Sequence, residues 1–260
     1  MMDSETLGYQ SLASWFGTRL GTGMLTMQQE LVDQHLSGPF GARQLECGLS
    51  AGVSVVSERK GWLQWQSLPF VPEKGPGEPR HSILYGLPKE LPFGDDELDV
   101  VVLHHTLDIA GGPHQALREA ARVLRPGGQI LVVGFNPWSL WGLRRLLSRS
   151  RRMPWQSGFL RPHRLTDWLH LLDFEVSSPR YRFFRPPTQN SRLLSRLAFM
   201  ETLFDHGGAL PWGAFYVMTG EKRKTSMIRA NTRWETPRNV VAMPLANRQA
   251  SRSIQKQEQI

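Results

Sequence analysis

Two adjacent histidines, His104 and His105, stand directly after the apolar run Leu98–Leu103 (LDVVVL), and Asp108 follows on the same loop. Imidazole changes charge near neutral pH, so a histidine at the end of a buried strand is a candidate general base that a carboxylate can orient. The plainer reading is a packed or loop-capping histidine beside an aspartate that caps the turn before Pro113. Upstream, Glu46-Cys47-Gly48-Leu49-Ser50-Ala51-Gly52 sets an acid ahead of G-x-S-x-G. Small residues at this spacing let backbone approach a ligand closely. The same letters evoke the serine elbow of hydrolases, but the strand-to-helix run and acid partner that an elbow needs are not evident downstream. Cys47 is the single cysteine, so neither an internal disulfide nor a cysteine-based zinc site is available, and no metal site is expected.

Periodicity indicates the elements that would carry these residues. Residues 1–37 read as a helical lead with Trp15, Phe16, Leu20, Leu25 and Leu31 as apolar points, broken by Gly38-Pro39. Arg43–Glu46 (RQLE) reads as a strand entering the glycine turn. Trp62–Gln66 (WLQWQ) alternates like a strand, Val71–Pro79 is a loop, and Ser82–Tyr85 is another short strand. Only a squeezed helix fits Val53–Lys60. Leu98–Leu103 and Gln129–Phe135 (QILVVGF) are nearly continuous apolar runs, as strands buried on both faces are. Between them Pro113–Leu124 has Pro in its first turn and Ala116, Leu117, Ala120, Val123 and Leu124 on one stripe, and Arg125-Pro126-Gly127-Gly128 stops it. Together they make a right-handed βαβ unit. Arg164–Leu172 then reads as a helix, Phe174–Phe184 and Gly213–Gly220 as strands, and Asn190–Phe204 as an inserted helix. The sum is a doubly wound, mostly parallel, Rossmann-like α/β domain over residues 38–222, with a helical insert within 185–212 and a tail over 223–260.

Within Leu91–Phe135, the pieces Leu91-Pro92-Phe93, Leu98-Asp99, Pro113 and Arg122-Val123-Leu124-Arg125-Pro126-Gly127-Gly128 occur in order. In that order and spacing the block resembles class I S-adenosylmethionine (SAM)-dependent methyltransferases, and their type 11 branch most closely. Over Phe40–Gly220 the likeness is looser. The resemblance implies a seven-stranded class I methyltransferase fold, SAM as cofactor and a small or medium-sized organic methyl acceptor. It also implies a cofactor site of Glu46, Gly48, Ser50 and Gly52 against the methionine part of SAM, with Ser50 in place of the middle glycine. Gln66 stands where the family keeps an acid for the ribose hydroxyls, and the backbone around Leu87 where it keeps one for the adenine. His104 lies at the pocket edge, and His104 and His105 become the candidate catalytic residues. Phe135, Trp138 and Trp141 are an aromatic wall over a flat acceptor or part of the core, and Asp99 anchors its strand. The absent acids leave a second class open, a binding or regulatory protein that keeps the fold without turnover. A nucleic-acid methyltransferase is a third, but the amino-methylating N/D-P-P-[YF] signature is replaced by His-His-Thr-Leu.

Charge adds less than its total suggests. The net charge is +8, from 31 basic and 23 acidic residues, and 40% of the chain is hydrophobic, which excludes a disordered polyelectrolyte for most of it. Glu221–Ile260 carries 9 Lys/Arg against 3 Asp/Glu, a net of +6. It has the composition of a disordered tail, either plainly solvated or in weak contact with nucleic acid or an anionic membrane. A second cluster is internal: Arg144, Arg145, Arg149, Arg151, Arg152, Arg161 and Arg164, with no acid among them. Part of it, Ser139–Ser150, reads as an amphipathic helix with Leu140, Leu143, Leu146 and Leu147 on one side. Either it is a solvated face or it meets something anionic: an acceptor, a membrane or RNA. The acidic N-terminus and the lack of an apolar run near 18 residues lead to the expectation of no signal peptide, no transmembrane segment and a cytoplasmic location.

Overall fold

The computed structural model describes residues 4–39, 41–71, 81–148, 153–188 and 210–223. The expected Asn190–Phe204 helix, and all of the tail beyond Arg223, lie outside these residues. Five strands run parallel in the order β3 (Ser82–Tyr85), β2 (Leu63–Leu68), β1 (Arg43–Cys47), β4 (Leu98–His104) and β5 (Leu124–Phe135). β8 (Phe215–Lys222) lies antiparallel against β5, and β6 (Phe174–Val176) and β7 (Arg180–Arg182) pair with the far side of β8. Phe174 faces Lys222 and Arg180 faces Val217, so the path from one to the other gains one residue on the outer strand. β6 and β7 are thus one bulged edge strand. The eight segments fill the seven positions expected, and the strand read over Phe174–Phe184 is interrupted at 177–179.

Alternation along the central strands explains the layers. Val100, Val102, Leu131, Val133, Phe215 and Val217 face one side and pack with α1 (Ser4–Phe16) and α2 (Arg19–His35). Val101, Leu103, Ile130, Val132, Tyr216 and Met218 face the other and pack with α4 (Pro113–Val123) and α6 (Pro162–Leu171). The N-terminal lead is therefore one full layer of the fold. α2 is capped by the Thr18 hydroxyl, which accepts from Gly21 N. Its far end is tied to the sheet by Gln129, whose Nε2 donates to His35 O while its Oε1 accepts from Ser37 N.

Two local expectations are corrected. Arg125-Pro126-Gly127-Gly128 stops α4, yet it is already part of β5, bulging out between the pairs Leu98–Leu124 and Val100–Gln129. Gly127 has φ 81° and a Cβ on Gly128 would sit 2.8 Å from the Arg125 carbonyl oxygen, so both positions need glycine. Val53–Lys60 forms no helix. Its β-branched and serine-rich start (VSVVS) has poor helix propensity, and the buried Glu46 carboxyl engages the hydroxyl of Ser54 and the N–H of Val55 instead. Asp99 anchors its strand as expected, accepting from Arg43 N at 2.7 Å and pairing with Arg125 at 2.5 Å. Among the described residues, no helix is long and apolar enough to cross a membrane.

Candidate functional site

In an open parallel sheet, ligands bind beyond the carboxyl ends of the strands, where the order reverses. Here that point lies between β1 and β4, and it gathers Glu46, the glycine turn, His104 and His105. His104 closes β4, and His105 follows in the left-handed conformation, φ 51°, which is unusual for a residue with a Cβ. The strained turn points both imidazoles back into the protein, and both are fully buried.

A hydrogen-bonded chain links them. Gln28, from the middle of α2, reaches both rings: its Oε1 lies 3.1 Å from His104 Nε2 and its Nε2 lies 2.9 Å from His105 Nε2. The amide nitrogen can only donate, so His105 Nε2 accepts and its proton sits on Nδ1. That Nδ1 donates to Asp108 Oδ2 at 2.8 Å. Asp108 also accepts from Phe135 N at 3.0 Å and Leu160 N at 3.4 Å. Phe135 stacks on His105 at 4.0 Å, and Phe16 from the end of α1 leans on both imidazoles, with ring centroids at 5.3 and 5.6 Å.

Burial dominates the electrostatics. It pushes His105 down to about 3 and holds His104 well below the usual imidazole range, with the neighbouring His105 adding to the effect. Burial raises Asp108 to about 8, against the pull of the two backbone N–H groups, and Glu46 to about 7, against its bonds to Ser54 and Val55. Two buried polar atoms beside this cluster have no hydrogen-bond partner among the described residues: His104 Nδ1, 3.9 Å from Glu46 Oε1, and Tyr9 Oη on α1.

The structure brings some expected cofactor residues together and leaves others apart. Glu46, Gly48, Ser50, Gly52 and Gln66 form one corner. A Cβ on Gly48 would meet Gln66 Nε2 at 2.5 Å, so the Gln66 amide lies over the glycine, where it donates to Ser50 O at 3.2 Å and to Val53 O at 3.4 Å. Gly52 faces open space. Between this turn and α2 lies a cavity of about 320 Å³ lined by residues that include Thr22, Thr26, Gln29, Gly52 and Ser54. Leu87 sits in the turn after β3, half-buried, its carbonyl accepting from Glu90 N. Phe135 and Trp141 are core residues, and Trp138 is exposed, so the three do not make a common wall.

Sequence reading missed Gln28. The signal was present: Leu20, Met24, Gln28, Leu31 and Val32 fall on the buried stripe of α2, and a polar residue in an apolar stripe needs a buried partner.

Residues 67–132 match the family model described as "Methyltransferase domain". Over 90 residues the chain is 47% identical to the uncharacterized protein YafS of Escherichia coli, spanning 34% of this chain and 38% of that one. Over 46 residues it is 50% identical to a demethylmenaquinone methyltransferase of Mycobacterium bovis, spanning 18% and 20%. The chain thus matches well under half the length of these relatives. Among solved structures, a SAM-dependent methyltransferase from Thermotoga maritima superposes with a TM-score of 0.57 at 18% identity, covering 81% of this chain and 94% of that one. At that identity the likeness concerns the fold.

Proposed function

We propose that the chain is a class I methyltransferase, a reading supported by the methyltransferase-domain match over residues 67–132 and by the fold, and that it transfers a methyl group from SAM to a small or medium-sized organic acceptor. The observation that carries this reading is the Asp108–His105 pair at the carboxyl edge, beside the β1 glycine turn. Asp108 fixes the proton of His105 on Nδ1 and leaves the Nε2 lone pair, which the Gln28 amide holds in this structure, as the proton acceptor once Gln28 moves aside. Bound SAM would supply an electrophilic methyl group open to in-line attack, so that positioning is the main task. His105 would take the proton from an acceptor O–H or N–H.

The residues present fit the cofactor in outline. Gly52 faces open space, the atom over Gly48 is the far end of a flexible side chain, and His104 Nδ1 and Tyr9 Oη are buried without partners among the described residues. In this reading Gly48, Ser50 and Gly52 receive the methionine part, Gln66 turns out of the cradle toward the ribose hydroxyls, and the backbone at Leu87 meets the adenine. Glu46 holds the turn in shape through Ser54 and Val55. Gln28 and Phe16 occupy the space in front of the histidines, so the N-terminal layer has to shift for an acceptor to reach His105.

One observation favours a second reading, a methyltransferase-fold binding protein without turnover: both glutamine amides already satisfy the groups that ligands would use. Calorimetry with SAM and its demethylated product separates the two. Submillimolar binding of both, followed by methyl transfer that His105→Gln abolishes while binding persists, supports the enzyme. Binding without transfer to any acceptor supports the second reading, and no binding of either compound removes both. The acceptor class follows from a screen in which demethylmenaquinone, the compound in the mycobacterial relative's name, is tested beside anionic acceptors.

A further inference from the structure

α5 (Leu140–Leu147) is mounted the wrong way round for a core helix. An amphipathic helix on a globular protein turns its apolar stripe inward. Here one residue, Trp141, docks the helix: it is buried against Trp15, Trp155 and Phe183 and donates from Nε1 to Arg185 O. The four leucines face out, with Leu146 81% and Leu147 74% exposed and Leu140 and Leu143 about half exposed.

Two tryptophans extend this face, Trp138 at 66% and Trp212 at 61% exposure. The buried Asn136 sets them side by side. Its Nδ2 donates to Pro211 O and Gly213 O, both at 2.8 Å, and its Oδ1 accepts from Trp138 N at 3.0 Å. Between the tryptophans and the first turns of α5 runs an apolar groove of about 640 Å³, lined also by Phe184. A buried polar clamp holding two exposed indoles beside an outward leucine stripe is structure spent on a surface, and patches of this kind mark interaction sites.

The surrounding charge selects the partner. The sequence from Leu131 to Thr166 contains seven arginines and no acid. Arg161 sits over the exposed Trp138 ring and Arg144 lies beside Leu140, Leu143 and Leu147, so cations border the apolar face, while Arg145 turns inward to Ser157 O and Phe159. Leucines that enter acyl chains, indoles at headgroup level and a basic rim are what an anionic bilayer surface takes up. We propose that the α5 face, with Trp138 and Trp212, docks the protein peripherally on anionic membranes. This surface lies on the opposite side of α5 from Trp141 and does not depend on methyl transfer.

Flotation of the full chain with vesicles of phosphatidylcholine alone and with 30% phosphatidylglycerol tests the proposal. Binding to the mixed vesicles at least tenfold tighter than to the neutral ones is expected. It should drop at least tenfold in Leu143→Glu/Leu146→Glu/Leu147→Glu, whose exposed positions leave the circular dichroism and Tm unchanged. If that variant loses its fold, Trp138→Ser/Trp212→Ser takes its place with the same expected loss. Wild-type binding undiminished in a folded variant overturns the proposal, because the basic tail then carries it. Absence of binding to mixed vesicles overturns it too, as does a wild-type dimer that the leucine substitutions convert to monomer, since the face is then covered by a second copy.

Discussion

Gln28 is the residue on which the candidate site turns. A single amide satisfies one nitrogen of each buried imidazole, and it comes from a helix, not from the strand edge that bears the histidines. Gln28→Ala leaves both Nε2 atoms without a partner in a dry site, which costs about 1–3 kcal/mol. Its Tm falls accordingly, measured by differential scanning fluorimetry. On the reading that Gln28 stands where the acceptor must enter, the same variant binds the acceptor several-fold more tightly in calorimetry with the demethylated cofactor product present. An unchanged affinity would mean that Gln28 is only a structural pin. The histidines and the glycine turn were legible in the sequence because they follow strands directly. Their sealing was not, since Gln28 lies 76 and 77 residues from its partners.

At the scale of elements, two findings concern helices. The helix expected at Val53–Lys60 is a loop, because Glu46 offers that segment a better use for its N–H groups than a helix would. α5 forms where its leucine periodicity predicts, yet periodicity only says that leucines share a side and not which side is buried. Trp141 decides that. Gly142 makes the close fit: a Cβ there would lie 1.9 Å from Pro137 O. Gly142→Ala must push the helix off the Asn136–Ser139 turn, with a cost of about 1–3 kcal/mol for overpacking. The expected outcome is a lower Tm together with a red-shifted tryptophan emission as Trp141 loses its packing. A variant with wild-type Tm and emission would show that the turn gives way freely.

For the whole molecule, buried titratable groups set the pH range of stability. Folded Glu46 keeps its proton to about pH 7 and Asp108 to about 8, whereas the unfolded carboxyls release theirs near pH 4 to 4.5. Above that range the unfolded state binds fewer protons than the folded one, so these groups lower stability as pH rises, until their folded pKa values are passed. His105, pushed down to about 3, acts in the opposite sense: the unfolded imidazole takes up a proton below pH 6.5 and the folded one does not, so stability falls on acidification through that interval. His104, held down in the same way, adds a second imidazole, so two imidazoles offset the two carboxyls between about pH 4.5 and 6.5. Tm is therefore expected to be flat there and to fall on both sides, toward pH 8 and toward pH 3. Glu46→Gln should remove part of the alkaline fall, on the order of 3 kcal/mol for this shift, as read from urea unfolding at pH 5 and pH 8. An equal fall in the variant would show that Glu46 is ionised in the folded protein.

The sequence by itself determined the architecture, because that information is local: apolar runs for β4 and β5, the stripe of α4, and Pro-Gly-Gly where the chain must turn with positive φ. It also determined which residues reach the β1–β4 edge, since strand ends fix them. What fills that edge was decided only in three dimensions. The N-terminal residues read as a lead outside the domain, and they fold as its second face because the apolar surface of a parallel sheet must be covered on both sides. Gln28 over the histidines, Gln66 over Gly48 and the outward leucines of α5 are all matters of which surface meets which. No periodicity carries that information, and only the packed molecule supplies it.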